Sequence, residues 1–225
     1  MVFSLSARAE AQSKAIFGKR NNELSRALQH SLIDRAKKLV QNINLPVVWY
    51  GEDSQVGSNF GERYANAFQD LFDRGYENVI SIGNDCIELT SEILKEACSL
   101  LNTQKTVWGP ALDGGVYLIG INKSVFDKRV FEDLPWQTPQ LLEQIIQKFD
   151  DRDKNCLSLP RLIDVDDLSS LKATLYKNTF IEFQIILNEY LSSFVARVRV
   201  KNDLIERCYH FISYKLRGPP SFQCI

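Results

Sequence analysis

The sequence predicts an α/β fold with a Rossmann-like, mostly parallel sheet that helices cover on both faces. Strand-like and helix-like segments alternate over roughly the first 170 residues, which is the pattern of repeated strand–helix–strand units. The strand-like segments are continuous apolar runs, as expected for strands that are buried on both faces. Ligands of such folds bind beyond the carboxyl ends of the strands, so polar residues that follow a strand are candidates for a site.

Five short apolar runs are predicted as strands, because runs of this length are typical of buried strands. They cover residues 2–6, 46–51, 78–82, 105–109 and 116–121. Helices are predicted where apolar residues recur at helical spacing, at residues 22–41, 61–73 and 91–101. A further helix is predicted to start at Thr138 and Pro139, since threonine is a favoured N-cap and proline a favoured first residue.

The predicted α/β domain covers residues 1–174, and residues 175–225 are interpreted as a mainly helical C-terminal extension. Two apolar stripes at helical spacing support this interpretation. The first comprises Phe180, Phe183, Leu187, Tyr190, Leu191 and Phe194, and the second comprises Leu204, Ile205, Cys208, Phe211 and Ile212. Such stripes are more often core than binding surface, but a homodimer through the extension stays open.

Composition and charge exclude several classes of protein. The 27 basic and 28 acidic residues leave a net charge of -1, which provides no bulk attraction to nucleic acid or anionic membranes. No apolar run reaches the roughly 18 to 20 residues of a membrane span, and the N-terminus lacks the pattern of a signal peptide. Five scattered cysteines without a C-x-x-C pair argue against a disulfide framework or zinc site, so a cytoplasmic protein is expected.

Asp85 follows the predicted third strand in the stretch Gly83-Asn84-Asp85-Cys86. A carboxylate at a strand end is suited to hold a divalent cation, and oxygen ligands favour magnesium or manganese. The alternative is that Asp85 only caps the following loop or helix.

A second stretch, Asp113-Gly114-Gly115, lies between the last two predicted strands. Asp-Gly is typical of hairpin turns, because it favours positive backbone dihedrals. Adjacent glycines also allow a ligand to approach the backbone closely. The connection from Pro110 to Gly115 is longer than a tight turn requires, so both interpretations stay open.

A third stretch, "LIDVDDL", ends an apolar segment in three acids. Asp167 is interpreted as a cap of the helix that follows. Asp164 and Asp166 are candidates for a second carboxylate on a cation that is first held by Asp85. Two carboxylates from different strand ends, sharing a cation with a diphosphate, form a recurring phosphate-handling arrangement.

Five motifs in order give the chain a resemblance to a known family. They are "QVGSNFGERYANAF", "VISIGNDCIELT", "GPALDGGVYLIG", "LPWQTPQLLEQ" and "LIDVDDL". Over roughly residues 2–172 the chain resembles an uncharacterised bacterial glycosyltransferase-like family, also called the selenodomain-associated transferase group. Members of that family look like nucleotide-diphospho-sugar transferases of the glycosyltransferase A type.

The resemblance implies roles for particular residues. Asp85 would be a metal or ribose-diphosphate ligand, and Asp164 and Asp166 would supply the second metal ligand. Asp113 would position or deprotonate the acceptor. The candidates for binding nucleotide or phosphate are Lys14, Arg63, Asn84, Gly114 and Gly115, together with Arg8 as a possible substitute in a loop that departs from the family. For Arg63, in the motif that also holds Gln55, Gly57, Gly61 and Glu62, a surface ion pair is the alternative.

The chain departs from the family pattern after its first strand. The family has a proline- and glycine-bearing loop with Lys-Thr-Arg-Leu there, whereas this chain has "ARAEAQSKAIFGKR", in which only Lys14 aligns. Arg8, Lys19 and Arg20 are possible substitutes. Asn84 replaces the serine of the family motif.

Three functions are consistent with these residues. The leading hypothesis is a glycosyltransferase that depends on Mg²⁺ or Mn²⁺ and transfers sugar from a nucleotide-diphospho-sugar to an unknown acceptor. The second is a nucleotidyltransferase acting on a phosphorylated acceptor. The third is a catalytically degenerate member that acts as a binding or assembly module, which the altered N-terminal loop and the C-terminal extension favour.

Overall fold

The computed structural model describes residues 1–103, 105–149, 159–177, 180–196 and 201. The chain divides into two compact units, Met1–Phe180 and Ile181–Ile225. The boundary expected after residue 174 stays a prediction. In the second unit residues 181–196 are helical, and the second apolar stripe of the sequence, from Leu204 onward, lies outside the described residues.

The first unit contains a five-stranded sheet in the order β2-β1-β3-β5-β4. The strands are β1 (Val2–Phe3), β2 (Trp49–Tyr50), β3 (Asn78–Ile82), β4 (Thr106–Pro110) and β5 (Val116–Asn122). β1 pairs in parallel with β2 and β3, whereas β5 is antiparallel to both β3 and β4. Four strands therefore share one direction and β5 is reversed, which confirms the predicted mostly parallel sheet.

The first four helices of the first unit lie between strands, and the other three follow β5. They are α1 (Ala7–Lys14), α2 (Asn22–Gln41), α3 (Phe60–Asp73), α4 (Ser91–Leu101), α5 (Lys128–Glu132), α6 (Leu141–Phe149) and α7 (Leu168–Lys177). α2 and α4 have the predicted bounds, α3 begins one residue before its predicted start, and α1 was not predicted. Within the described ranges, no helix is both long and apolar enough to cross a membrane.

Apolar side chains cover both faces of the sheet. On one face, Phe68 and Phe72 of α3, Phe131 of α5 and Ile145 of α6 form one core cluster with strand residues. On the other face, helix residues from α2 and α4 form a second cluster with a different set of strand residues. The alternation of side chains along each strand explains the division, since Trp108 belongs to the first cluster and its neighbour Val107 to the second.

Aromatic rings dominate the first cluster. Tyr64 and Trp136 meet edge to face with ring centroids 5.0 Å apart, and Phe68 and Phe131 do so at the same distance. Gly61 allows α3 to lie close to α5, because a Cβ at this position would lie 2.4 Å from the backbone oxygen of Glu132. The cluster therefore fixes α3 against α5 and holds the start of α3 in place.

The carboxyl ends of β1 and β3 lie at one edge of the sheet, where the loop between β4 and β5 also lies. The segment that begins at residue 159 reaches the same edge. The backbone N–H of Leu112 donates to Leu162 O at 2.9 Å, and that of Leu162 donates to Pro110 O at 3.2 Å. The topology thus brings all three acidic stretches of the sequence to one place.

We expect Phe68→Ala to lower the free energy of unfolding by about 3–5 kcal/mol, because it leaves a cavity in the aromatic cluster. Phe68 is fully buried, whereas Tyr176 is 95% exposed and serves as the matched aromatic control. Tyr176→Ala is expected to change the free energy by no more than about 0.5 kcal/mol. Urea denaturation measures both variants, and equal losses would contradict this account of the core.

Candidate active site

Asp85 lies three residues after the end of β3, and its backbone ties two chain segments together. Its carbonyl oxygen accepts a hydrogen bond from the backbone N–H of Val165 at 3.0 Å. Nearby, the carboxylate of Glu88 accepts from the backbone N–H of Ile163 at 3.0 Å. These bonds hold residues 163–165 beside the loop that follows β3, and so place Asp164 and Asp166 next to Asp85.

Lys14 joins these acids from a third segment of the chain. Its Nζ lies 2.6 Å from Asp85 Oδ2 and 2.7 Å from Asp166 Oδ1. The side chain of Lys14 is 17% exposed, against 27% for Asp85 and 49% for Asp166. The ammonium is therefore the best shielded of the three charges and lies between two carboxylates from distant parts of the sequence.

Helix α1 delivers Lys14 to this position. Ser6 caps the helix by accepting a hydrogen bond from Ala9 N, and Ala15 ends it in the left-handed conformation with a φ of 39°. Lys14 is therefore the last helical residue, with its side chain at the carboxyl end of α1. The run "ARAEAQSK" is rich in good helix formers, a signal that sequence reasoning missed by comparing this stretch with a loop.

Glu10 is a functional candidate that sequence reasoning also missed. It precedes Lys14 by four residues on α1 and therefore lies on the same helical face. Burial and the charge of Asp85 raise the pKa of Glu10 above its usual value, against the opposing effect of Lys14. A glutamate one turn before the aligned lysine was the available signal.

Asp164 is a further carboxylate in the cluster. Its Oδ1 is buried, and no hydrogen-bond donor of the described ranges reaches that atom. Burial raises the pKa of Asp164 well above its usual value, and the negative charges of Asp85 and Asp166 raise it further. With Glu10, the cluster brings four carboxyl groups around the single ammonium of Lys14.

Lys14 controls the ionisation of the cluster. Burial opposes the charge of Asp85, but Lys14 outweighs it and holds the pKa of Asp85 below its usual value. Burial likewise lowers the pKa of Lys14, but Asp85 and Asp166 outweigh it and raise this pKa above its usual value. Lys14 and Asp85 thus stabilise each other as ions, and the charge of Asp166 adds to the stabilisation of the ammonium.

The carboxylates of this cluster fit a divalent cation only if another molecule completes its coordination. In the part of the chain that the structure describes, no three acidic, histidine or cysteine side chains are placed to hold a metal by themselves. Asp85 and Asp166 do share one point, which the Lys14 ammonium takes. Magnesium is usually held by one or two carboxylates completed by substrate phosphates and water, so the residues fit a cation that arrives with a diphosphate.

The loop between β4 and β5 is both a structured turn and part of the surroundings of the cluster. Asp113 Oδ1 accepts a hydrogen bond from Gly115 N at 2.9 Å. Gly114 has a φ of 92°, and a Cβ there would lie 2.1 Å from Pro139 O. The charge of Asp113 contributes to the raised pKa of Asp164. The turn and its close approach to Pro139 therefore explain Gly114, while the role of both glycines toward a ligand stays a prediction.

Most residues of the Gln55 to Arg63 motif build the start of α3. Asn59 caps the helix by accepting from Glu62 N at 2.9 Å, and Glu62 accepts in return from Ser58 N at 2.7 Å. Gln55 Nε2 donates to Ser4 O at 3.0 Å, which ties this stretch to the end of β1. The motif is therefore accounted for mainly by local structure.

Three predicted phosphate ligands are not among the residues that pair with Lys14. Arg63 Nε and Asn84 Nδ2 are buried, and neither has an acceptor among the described residues. Arg8 is exposed and lines a separate cleft with Arg26 and His30 between α1 and α2. The roles of Arg8, Arg63 and Asn84 toward phosphate stay predictions.

An apolar cavity of about 260 Å³ lies elsewhere in the first unit, at the opposite edge of the sheet. Its lining includes Val40 of α2, Asn78 and Val79 at the start of β3, and Leu101 at the end of α4. Among the described residues that line it, none has a charged side chain, so the cavity offers no group for the chemistry of the acidic motifs.

We expect Asp164→Asn to raise the free energy of unfolding near about pH 8 in metal-free buffer. A carboxyl whose pKa is higher in the folded state costs stability once it ionises. This cost is absent below the unfolded pKa and grows as the pH rises through the raised folded pKa. Urea denaturation from about pH 3.5 to 8 measures the difference from wild type.

Asp167→Asn is the control, and it is expected to change the free energy of unfolding in the opposite direction. Hydrogen bonds from Ser170 lower the pKa of Asp167, so its carboxylate contributes stability above the unfolded pKa and loses that contribution as the pH falls. We therefore expect Asp167→Asn to lower stability near neutral pH. An Asp164→Asn variant that is less stable than wild type at about pH 8 would contradict the raised pKa.

Known proteins support the fold and the sequence resemblance. A family model described as "Uncharacterized protein conserved in bacteria (DUF2064)" matches residues 52–138. A solved protein from Desulfovibrio desulfuricans G20, described as a "putative nucleotide-diphospho-sugar transferase", is 22% identical with a TM-score of 0.69. That alignment covers 85% of this chain and 94% of the other, and at this identity it establishes a shared fold.

Other comparisons add little. A Mycobacterium tuberculosis Rv0371c homologue from Mycobacterium sp. strain JC1 aligns over 78% of this chain and 96% of the other, at 12% identity and a TM-score of 0.39. That value is too low to carry an argument. No curated protein sequence matches the chain significantly. The predicted resemblance is confirmed: residues 52–138 carry the sequence pattern of the uncharacterised bacterial family DUF2064, on a fold shared with the Desulfovibrio protein.

Proposed function

We propose that this protein is a transferase that acts on a nucleotide-diphospho-sugar donor. One observation carries the proposal: Lys14, Asp85 and Asp166 converge at the carboxyl edge of the sheet, where folds of this class bind their ligands. A site with a cation and several carboxylates has the groups needed to bind a diphosphate together with a metal. The similarity to the Desulfovibrio protein, described as a "putative nucleotide-diphospho-sugar transferase", supports the same class of donor.

Asp85 and Asp166 are the proposed ligands of Mg²⁺ or Mn²⁺. When bound, the cation neutralises negative charge that develops on the leaving diphosphate. Asp164 lies next to both ligands, and its unpartnered Oδ1 is available to accept a hydrogen bond from water on the cation. Lys14 is the proposed ligand of a phosphate oxygen, since its ammonium is a compact donor on a flexible stem.

Asp113 is the proposed partner of the acceptor hydroxyl. It is exposed at the same edge, and the turn formed with Gly115 fixes its carboxylate. A carboxylate within hydrogen-bond reach of a hydroxyl positions that group and accepts its proton during transfer. The acceptor itself stays unidentified, because an exposed carboxylate carries little information about the rest of the molecule.

We expect uridine, guanosine or cytidine diphosphate to raise the thermal midpoint of unfolding in the presence of Mn²⁺, and Asp85→Asn to abolish this effect. A ligand that binds only the folded state stabilises it according to its concentration and affinity. Asp34→Asn is the matched control, because Asp34 also pairs with a lysine, Lys37, but on the exposed surface of α2. Thermal unfolding with each diphosphate, with and without Mn²⁺, measures the effect.

The reaction products distinguish the remaining hypotheses. Release of nucleoside diphosphate from a nucleotide sugar identifies the proposed glycosyltransferase. Release of pyrophosphate from a nucleoside triphosphate identifies a nucleotidyltransferase instead. Absence of any shift with all three diphosphates would contradict the proposal and favour the degenerate binding module.

We expect Asp113→Asn to lower turnover of the donor by about 10²- to 10⁴-fold, the usual contribution of a positioned general base. Binding of the nucleoside diphosphate should stay unchanged, since the amide preserves the hydrogen bond from Gly115 N. Steady-state rates and calorimetric titration measure the two quantities. Equal loss of binding and turnover would show that Asp113 supports the donor site rather than the acceptor.

A further inference from the structure

We propose that Lys14 is a built-in counter-cation that takes the metal's place in the ligand-free protein, so that metal and donor diphosphate bind together and only weakly alone. This inference rests on the proposed function and deepens it by naming how the site is controlled. It is carried by the two short contacts of Lys14 Nζ, at 2.6 Å to Asp85 Oδ2 and 2.7 Å to Asp166 Oδ1.

The ammonium and a metal exclude each other from this position. Magnesium binds carboxylate oxygens at about 2.0–2.1 Å, so a cation shared by Asp85 and Asp166 would occupy the space that Nζ now fills. The charges exclude each other as well, because an ammonium beside a bound divalent cation is repelled strongly where the site is shielded from water. Lys14 therefore has to leave before the metal enters.

Lys14 is built to leave without unfolding its helix. It is the final residue of α1, and Ala15 ends the helix directly after it. Only the flexible side chain has to rotate, while the Ser6 cap keeps the backbone of α1 in place. One further contact, 3.5 Å from Nζ to Val165 O, is long for a hydrogen bond and resists this rotation little.

The negative charge of the cluster makes a replacement cation necessary. Asp85 and Asp166 both contact the ammonium directly, one through Oδ2 and the other through Oδ1. Removing the ammonium without a substitute leaves carboxylates close together in a shielded place, which is costly. A metal without diphosphate provides the substitute but leaves the displaced Lys14 without an anion.

A diphosphate resolves this conflict, because its oxygens accept the displaced ammonium and complete the coordination of the metal. Metal and diphosphate therefore stabilise the same arrangement of Lys14. By linkage, each ligand then raises the affinity for the other by the same factor. The ligand-free protein has low affinity for stray divalent cations, and the ammonium of Lys14 offsets part of the carboxylate charge until a donor arrives.

Titration of Mn²⁺ without nucleotide tests whether Lys14 competes with the metal for Asp85 and Asp166. We expect Lys14→Met, which removes the charge but preserves most of the side-chain volume, to bind Mn²⁺ at least about tenfold more tightly than wild type. Lys37→Met is the matched control, since Lys37 also pairs with an aspartate but on the exposed surface. It should bind Mn²⁺ like wild type, and Asp85→Asn added to Lys14→Met should remove the gain.

Titration of wild type provides a second measurement that does not depend on the folding of Lys14→Met. Mn²⁺ and uridine diphosphate are titrated alone and together, with correction for the complex that they form in solution. We expect each to raise the affinity for the other by at least about fivefold. Circular dichroism and thermal unfolding establish whether Lys14→Met retains the native fold before its affinity is interpreted.

The outcomes separate this inference from the proposed function. If wild type already binds Mn²⁺ as tightly as folded Lys14→Met, or shows no coupling with the diphosphate it binds, the inference is overturned while the transferase proposal stands. If Lys14→Met gains Mn²⁺ affinity through Asp85 but no diphosphate binds wild type, Lys14 is a counter-cation and the proposed function is wrong.

Discussion

The ion network of Lys14 with Asp85 and Asp166 is the interaction on which the candidate site depends. It joins the end of α1, the loop after β3 and the segment before α7, which are far apart in sequence. The ammonium of Lys14 and the carboxylate of Asp85 are both largely shielded from water, so each stabilises the charge of the other. The positions of these side chains therefore depend on the ion pairs between them as well as on the backbone.

The scaffold supports the network through backbone hydrogen bonds. The segment from residue 159 runs beside the loop after β4, and Val165 is bonded to the carbonyl of Asp85. The aromatic cluster under α3 supports the same edge of the sheet from one face. Several motif residues, including Gly61, Glu62 and Gly114, have contacts that stabilise this scaffold. A sequence motif shared with a family therefore identifies the fold more firmly than it identifies ligands.

Fold and chemistry remain separate questions for this protein. The same α/β scaffold supports different reactions, so the reaction has to follow from the site. Here the site combines an excess of carboxylates with one ammonium at the carboxyl edge of the sheet. That combination is the basis of our proposal that a cation and a phosphorylated ligand bind together. A strongly basic pocket would have predicted a different behaviour, in which phosphate binds without metal.

Hydrophobic patterning within the chain was enough to predict the α/β class and the bounds of α2 and α4, because these features depend on residues close in sequence. Asp85 was placed at the end of β3 by the same local reasoning. Local patterns contain no information on which distant side chains meet, so the position of Lys14 between Asp85 and Asp166 and the inclusion of Glu10 emerged only from the folded chain. The direction of β5 likewise depends on which strands pair, and pairing is settled by packing across the whole sheet.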